Sequence, residues 1–144
     1  MLSSMEMKMN ISTKTEYAVR ALTELAINSA DKPVSINDIC KNQNLPVKYI
    51  EQLFRKLKQN GLIKSVHGAK GGYQLALEIH NISLKNIMEA VNENYVAPFC
   101  NGKPEEHSHC IGLPCGFKEL WDEINEHTEN YFDSIKLDQI VAKL

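Results

Sequence analysis

The segment from Pro46 to Leu77 constrains the fold more than any other part of this 144-residue chain. Its first half has apolar residues at intervals of three and four positions, namely Ile50, Leu53, Phe54 and Leu57. This spacing predicts an amphipathic helix with one buried stripe. Pro46 suits the first turn of that helix, where its missing N–H would have no helical partner. Asn60-Gly61 predicts the helix end, because glycine tolerates a left-handed backbone.

A two-stranded hairpin is predicted after this helix. Ile63 to Val66 forms the first predicted strand, and Tyr73 to Leu77 the second, in which apolar residues alternate. The tip between them, HGAKGG, is rich in glycine and carries Lys70. Those glycines would let the backbone approach another surface closely. A helix–turn–helix with an attached wing has this form.

Charge is distributed unevenly along the chain. Residues 41–76 contain seven Lys or Arg and one acid, Glu51, which gives a net charge of +6. The whole chain carries −2, so the remainder carries −8. A basic segment on an acidic body is the electrostatic footprint expected for contact with DNA phosphates. A solvated helix with an ordinary hairpin would also explain the charge, but the coincidence of helix, wing and charge favours double-stranded DNA as the partner.

Further helices are predicted on either side of this segment. Thr13-x-x-Glu16 has the pattern of a capping box, and the first helix is predicted to run from there to about Asn28. Its buried stripe comprises Ala18, Ala21, Leu22 and Leu25. A short helix from Ile36 to Lys41, capped by Ser35, and a turn over 42–45 complete the predicted helix–turn–helix.

Ser83 predicts the start of another helix, whose inward residues are Leu84, Ile87, Met88 and Val91. We therefore expect a mainly α chain with three regions. Residues 1–8 form a flexible N-terminal extension, 9–82 the winged helix–turn–helix, and 83–144 a cysteine-bearing loop with dimerisation helices.

A long helix is predicted from about Gly116 to Ile135, followed by a short one over 137–144. The apolar stripe of the long helix repeats every seven residues, which is the pattern of a seam between paired helices. The stripe comprises Phe117, Trp121, Ile124, Thr128, Tyr131 and Ile135, flanked by Leu120 and Phe132. The helix either closes its own core or pairs with a second copy. Symmetric dimers are common among helix–turn–helix proteins, because two recognition helices then reach successive major grooves.

The hydropathy, the N-terminal sequence and the cysteine count favour a cytoplasmic protein. No run of about 18 apolar residues exists, so no membrane span is expected. The N-terminus MLSSMEMK lacks the apolar region of a signal peptide. In a reducing compartment, four cysteines favour free, metal-binding or redox-active thiols over a disulfide framework.

Three cysteines lie close together in sequence. Cys100, Cys110 and Cys115 have the spacing C-x9-C-x4-C, on a polar stretch that also carries His107 and His109. Three thiolates favour zinc, copper(I) or an iron–sulfur cluster. A fourth ligand is needed for a tetrahedral zinc site or the usual cluster. It would come from one of the histidines, Cys40, a carboxylate or a partner chain. The alternative is that these cysteines are small buried residues near a helix start.

These stretches resemble the IscR/NsrR-type (Rrf family) winged-helix transcription regulators, which sense redox state, nitric oxide or iron through an iron–sulfur cluster. The resemblance rests on MNISTKTEYAVRALTELA, YIEQLFRKLKQNGLIKSVHGAKGGYQLA, SLKNIMEAVN, and three cysteines followed by FKELW. It covers about residues 9 to 140. It implies a homodimer with the cluster loop beside the long dimerisation helix, and DNA affinity that depends on the cluster.

By the same resemblance, Cys100, Cys110 and Cys115 are the cluster ligands. Some family members take the fourth ligand from a histidine three residues after the last cysteine, but Lys118 occupies that position here. Others use an acidic residue of the first helix of the partner subunit, which corresponds to Glu16. We expect Glu16 in trans, with His107 and His109 as rivals, and a 2Fe-2S cluster slightly ahead of a 4Fe-4S cluster. The first cysteine interval is longer than the family usually shows.

The resemblance also places DNA contacts on the predicted recognition helix and wing. The expected residues, including two lysines assigned to phosphates, are Lys48, Tyr49, Glu51, Gln52, Arg55, Lys56, His67, Lys70, Gly71 and Gly72. The side-chain chemistry agrees. Gln52 can pair with adenine, Arg55 with guanine or phosphate, and Glu51 with the cytosine amino group. Glu51 is equally well explained as a surface charge of the helix.

Two other functions fit the sequence less well. One is a cluster-free relative that represses genes, for example of sulfur or cysteine metabolism, through a partner or small molecule. The other is a zinc protein or electron carrier without a DNA role. The sequence contains no phosphate-binding loop, Gly-x-Ser-x-Gly or His-Glu-x-x-His motif, so no enzyme activity is expected.

Overall fold

Helices dominate the computed structural model, which describes residues 11–28, 32–95 and 115–144. The predicted extension 1–8 lies outside these residues. In chain order the described elements are α1 (Thr13–Asn28), α2 (Ile36–Gln43), α3 (Val47–Gln59), β1 (Ile63–Val66), β2 (Gly72–Leu75), a 3-10 turn (Ile79–Asn81), α4 (Leu84–Ala90), α5 (Gly116–Ser134) and α6 (Leu137–Val141). Across these three ranges, no helix combines the length and the apolar character needed to span a membrane.

The core of the first half of the chain forms where α3 packs on α1 and α2. The predicted stripes of α1 and α3 are confirmed, since each of their apolar residues is at most 2% exposed. Ile39 and Cys40 of α2 complete the same core, together with Leu45, Leu62 and Ile63. Full burial of one such aliphatic or aromatic side chain contributes about 1.5–3 kcal/mol. The orientation of α3 is therefore fixed mainly by apolar packing.

The short helix α2 begins and ends at polar residues. The Ser35 hydroxyl accepts a hydrogen bond from the backbone N–H of Asp38 at 3.1 Å, which confirms the predicted cap. The helix runs to Gln43, two residues beyond the predicted end. Asn44, rather than Asn42, takes the left-handed conformation, with φ 51° and ψ 54°. The turn into α3 is consequently shorter than predicted.

The hairpin is antiparallel, and its register pairs Ile63 with Leu75 and Val66 with Gly72. The second strand lies over Gly72–Leu75, so the predicted range Tyr73 to Leu77 was too late at both ends. Val34 forms an additional bridge to Tyr73 through two backbone hydrogen bonds of 3.0 and 2.8 Å. Nothing in the sequence indicated this bridge. It fastens the hairpin to the segment that precedes α2.

Gly72 is required at this contact. Its φ is +154°, and a Cβ atom there would lie 2.4 Å from the carbonyl oxygen of Val34. The close approach expected for the glycines therefore involves the chain's own backbone at this position. Gly61 has φ +75° in open space, which confirms the predicted end of α3.

The second half of the chain packs around α4. Ser83 and Asn86 form a capping box, with Asn86 N–H donating to the Ser83 hydroxyl at 3.0 Å and Ser83 N–H donating to the Asn86 side chain at 2.9 Å. The predicted inward residues of α4 are all buried. By contrast, the predicted capping box at the first helix is wrong, because Thr13 is already helical and Ser12 precedes the helix.

Candidate nucleic-acid interface and cysteine loop

The helix α3 has one buried face and one exposed face. Opposite the buried stripe, Lys48, Glu51, Gln52 and Arg55 are exposed, while Tyr49 and Lys56 are half-buried. All six are residues for which we predicted DNA contact. An exposed polar face on a helix whose other side is fixed in a core is the arrangement by which recognition helices enter the major groove.

Tyr49 also packs against α1, a contact that the sequence did not indicate. Its ring lies 5.8 Å from the ring of Tyr17 at an interplanar angle of 80°, an edge-to-face contact between the first turn of α3 and α1. The guanidinium of Arg20 lies 5.9 Å from the centre of the Tyr17 ring. Tyr49 therefore supports the position of α3 as well as lying near its exposed face.

At the wing tip, the polar side chains are exposed, whereas the glycine backbone is packed against neighbouring backbone. His67 and Lys70 are exposed, whereas Gly71 and Gly72 are half-buried. Gly71 N–H donates to the carbonyl oxygen of Gly68 at 3.0 Å, and a Cβ at Gly71 would lie 2.3 Å from the carbonyl oxygen of Val66. The two glycines are thus explained by the shape of the wing, while His67 and Lys70 supply its accessible polar groups.

The predicted metal ligands are only partly described. Cys115 is half-buried and lies directly before α5. Cys100, Cys110, His107 and His109 lie outside the described residues. Within ranges 11–28, 32–95 and 115–144, no three Cys, His, Asp or Glu side chains are grouped as a metal site would require. The ligand set remains a prediction.

Two further residues bear on that ligand set. Cys40 is 3% exposed in the core of the DNA-binding region, and burial, with a contribution from Glu51, raises the pKa of its thiol. It is therefore a poor source of the fourth ligand. Lys118, where some relatives carry a ligating histidine, forms an ion pair with Asp122 one turn later on α5.

Glu16, the expected fourth ligand, is exposed in the first turn of α1. Its carboxylate lies 3.7 Å from the guanidinium of Arg20, four residues along the helix. Such an exposed pair is weak, so the carboxylate can leave it at little cost.

Glu93 joins the segment before the cysteine loop to the start of α1, a contact that no sequence pattern indicated. Its carboxylate accepts hydrogen bonds from the hydroxyls of Ser12 and Thr15, the latter at 2.6 Å. Lys14 Nζ donates to the carbonyl oxygen of Asn92 at 2.6 Å. Partial burial would raise the pKa of Glu93, but these hydroxyl hydrogen bonds and the charge of Lys14 outweigh it and lower the pKa below its usual value.

The predicted pairing stripe of α5 is largely uncovered by the described residues. Phe117 is 68% exposed, Ile124 42% and Tyr131 65%. Trp121, Thr128 and Ile135 are half-buried. Phe132, predicted only to flank the stripe, is 3% exposed and packs with Leu84 and Met88 of the α4 region. Phe132 thus serves the core of this chain, and Ile135 at the end of the stripe packs against the same cluster. Among the described residues, Phe117, Ile124 and Tyr131 form an exposed apolar face that could pack against another surface.

Comparison with known proteins agrees with this geometry. A model of the Rrf2 family, described as an iron-dependent transcriptional regulator, matches residues 11–143. The transcriptional regulator IscR of Vibrio cholerae is 34% identical over 133 residues, which cover 92% of this chain and 75% of that relative. The solved structure of T. potens IscR matches with a TM-score of 0.73 and 32% identity, over 95% of this chain and 89% of that one. CymR, the global cysteine regulator of B. subtilis, matches with a TM-score of 0.74 and 28% identity, over 95% and 99% of the two chains.

The contacts of Glu93 generate a prediction for pH-dependent stability. Because folding lowers its pKa, Glu93 stabilises the fold above its ordinary pKa of 4.5, and this contribution is lost as pH falls through the lower folded-state pKa. Glu93→Gln should reduce the free energy of unfolding by about 1 kcal/mol at pH 7. In urea denaturation, the difference from wild type should shrink below pH 4.5. Glu78→Gln, at an exposed site, is the control, and a difference that is the same at every pH would contradict the assignment.

Proposed function

The chain belongs to the Rrf2 family of transcriptional regulators, and we propose that it binds operator DNA as a homodimer whose affinity is set by an iron–sulfur cluster. The observation that carries DNA contact is the exposed polar face of α3, held beside a basic wing by a buried apolar stripe. The cluster and the dimer rest on the sequence resemblance, the cysteine loop and the uncovered face of α5.

The proposed DNA contacts follow from side-chain chemistry. Gln52, Arg55 and Glu51 would contact bases in the major groove, with the guanidinium of Arg55 pairing with guanine or a phosphate. Lys48 and Lys56 would bind phosphates and set the register of α3 on the duplex. At the wing, Lys70 would add a phosphate contact. His67 would enter the minor groove, where its imidazole has fewer hydrogen-bond donors than the guanidinium of an arginine.

The proposed cluster ligands are the thiolates of Cys100, Cys110 and Cys115 with the carboxylate of Glu16 from the partner subunit; His107 and His109 are the rival fourth ligands. Three soft sulfur donors and one oxygen donor fit iron–sulfur chemistry. When bound, the cluster would supply a centre that oxidants, nitric oxide or iron shortage can alter. Glu16 would hold it weakly, because a carboxylate is a poorer iron ligand in this setting than a thiolate.

The apolar face of α5 is the proposed dimer interface. Phe117, Trp121, Ile124, Thr128 and Tyr131 follow the seven-residue spacing of a helix-pairing seam. Of these, Phe117, Ile124 and Tyr131 are exposed in the single chain. Pairing through this face would bring two copies of α3 onto one duplex. It would also place Cys115 of one subunit near an interface, as a ligand supplied in trans requires.

A second candidate function is a regulator of sulfur or cysteine metabolism that acts without a cluster. The similarity to the global cysteine regulator of B. subtilis favours it. In that case the cysteines would not bind iron, and DNA affinity would respond to a partner protein or a small molecule.

The cluster proposal is tested by two cysteine variants. Protein purified without oxygen should be coloured and contain iron and acid-labile sulfide. Cys115→Ser should lose most of both, because a thiolate ligand is removed. Cys40→Ser is the matched control, since Cys40 is buried in the core of the DNA-binding region, and it should keep its iron. Colourless wild-type protein after anaerobic reconstitution would reject the cluster and favour the second candidate.

The DNA proposal is tested by two cation variants. Arg55→Ala should weaken binding by about 1–3 kcal/mol if the guanidinium contacts a base. Lys70→Ala should weaken binding and reduce the salt slope by about one if it contacts a phosphate. Binding is measured by fluorescence anisotropy across a salt series on a duplex selected from a random-sequence pool. Lys143→Ala, exposed beyond α6, is the control; equal affinities for all four proteins would show that this face does not bind DNA.

The dimer proposal is tested in the middle of the seam. Ile124→Glu would bury a carboxylate in the paired interface, so sedimentation velocity should show a shift from twice the 16.3 kDa chain mass to a single chain. Leu144→Glu introduces the same side chain at a position 83% exposed outside α5 and should leave the mass unchanged. A dimer that survives Ile124→Glu would place the interface elsewhere.

A further inference from the structure

A buried carboxylate of α1 contacts the turn that precedes the recognition helix. Glu24 is 6% exposed. One of its oxygens accepts hydrogen bonds from the side-chain amides of Asn28, at 2.8 Å, and Asn42, at 2.6 Å. The other oxygen accepts from the side-chain amide of Gln43 at 2.7 Å. Asn42 and Gln43 are the last two residues of α2.

The carboxylate is the side chain that these neighbours require. An ionised carboxylate only accepts hydrogen bonds, and all three neighbours present NH2 donors. A glutamine at position 24 has almost the same shape but would turn an NH2 group of its own toward donors. Because position 24 is only 6% exposed, that NH2 group would lack both a protein acceptor and ready access to water. The network therefore depends on the charge state of Glu24 as well as on its size.

Gln43 is held by α1 at two points. In addition to the contact with Glu24, its carbonyl oxygen accepts a hydrogen bond from the guanidinium of Arg20, one helical turn before Glu24. The next residue, Asn44, takes the left-handed conformation that ends α2, and Leu45 N–H donates back to the carbonyl oxygen of Cys40 at 2.8 Å. Pro46 then begins α3. Gln43 therefore lies at the point where the chain changes direction between α2 and α3.

We propose that Glu24 is a positioning residue for DNA recognition, which acts through Asn42 and Gln43 to fix the turn before α3 and so the angle at which α3 enters the groove. The proposal goes beyond the contacts assigned above, and it rests on α3 being the helix that contacts bases. Glu24 does not touch DNA, because it is buried between α1 and α2. Small errors in the placement of α3 would weaken base contacts more than contacts with phosphates, since base pairing with a side chain is the more directional of the two.

The loss of charge and the loss of positioning predict opposite changes in DNA affinity for Glu24→Gln. Removal of one negative charge near a polyanion should strengthen DNA binding slightly at any sequence. Loss of the turn contact should weaken binding, and mainly on a specific sequence. The direction of the change therefore separates the two effects.

The experiment compares Glu24→Gln with Glu78→Gln, an identical change at an exposed position. Two duplexes are used with intact wild-type and variant protein: one selected by the wild-type protein from a random-sequence pool, and a scrambled duplex of equal length. Glu24→Gln should weaken binding to the selected duplex about tenfold and to the scrambled duplex less than about twofold. The salt slope should stay unchanged, because no phosphate contact is lost. Glu78→Gln should not weaken either complex.

A second variant tests whether the effect passes through the turn. Gln43→Ala removes the partner amide at a half-buried position and should also weaken specific binding. The double variant Glu24→Gln/Gln43→Ala should lose less than the sum of the two single losses, since both remove the same contact. Circular dichroism and thermal unfolding monitor the fold. If Glu24→Gln does not fold, Gln43→Ala on the two duplexes decides the question.

Two results would overturn the proposal. If Glu24→Gln and Gln43→Ala lower the melting temperature but leave specific affinity unchanged, Glu24 is only a stability residue. If the losses of specific affinity in Glu24→Gln and Gln43→Ala add fully in the double variant, the two residues do not act together. Arg55→Ala, measured in parallel, separates this failure from that of the proposed function. If Arg55→Ala weakens binding but Glu24→Gln and Gln43→Ala do not, only the positioning role of Glu24 is wrong. If Arg55→Ala has no effect, α3 does not contact DNA bases, and the positioning role of Glu24 is wrong as well.

Discussion

The packing of the apolar stripe of α3 against α1 and α2 is the constraint on which the rest of the structure depends. It uses Ile50, Leu53, Phe54 and Leu57, so no apolar residue of the stripe remains for contact with DNA. The polar face of the helix is turned outward by the same packing. Apolar contact is strong but not directional, so it fixes which face of α3 is buried while directional contacts refine the position of the helix. The directional contacts around α3 come from polar groups at its start, where Tyr49 meets Tyr17 and the preceding turn meets Glu24.

The wing is fixed by a different kind of contact. Its strands are short, and a two-stranded hairpin alone is only marginally stable in water. Phe54 lies edge-to-face with Tyr73 at 4.9 Å, which attaches the second strand to α3. The backbone bridge between Val34 and Tyr73 attaches the same strand to the segment before α2. The wing, α3 and the segment before α2 therefore meet at Tyr73. Only glycine at the neighbouring position 72 allows the backbones to approach closely enough.

The sequence predicted local elements well, because their signals are local. The stripes of α1, α3 and α4, the caps at Ser35 and Ser83, and the glycine that ends α3 follow from residues within a few positions of one another. The Val34 bridge, the contacts of Glu24 with Asn42 and Gln43, and the contacts of Glu93 join residues 18 to 81 positions apart. A single sequence carries no pattern for them. The predicted end of α2 at Lys41 was two residues too early, since the helix continues to Gln43 and ends at the left-handed Asn44. Of the predicted site, the exposed face of α3 was found where expected, while most of the proposed cluster ligands lie outside the described residues.

The two unpredicted carboxylates, Glu93 and Glu24, both connect α1 to other parts of the chain, one at its first turn and one towards its end. Glu93 holds the start of α1 to the segment that leads into the cysteine loop. Glu24, about three turns further along α1, holds the end of α2 just before the turn into α3. Glu16 and Arg20 lie between them on the same helix, and Arg20 also donates to Gln43. A helix transmits displacement along its axis because its backbone hydrogen bonds make it stiff. Under the proposed role of Glu16 as a cluster ligand, a movement of the first turn of α1 on binding or loss of the cluster would reach Gln43 through one helix. On that proposal, α1 connects the cysteine loop to the residues that precede α3.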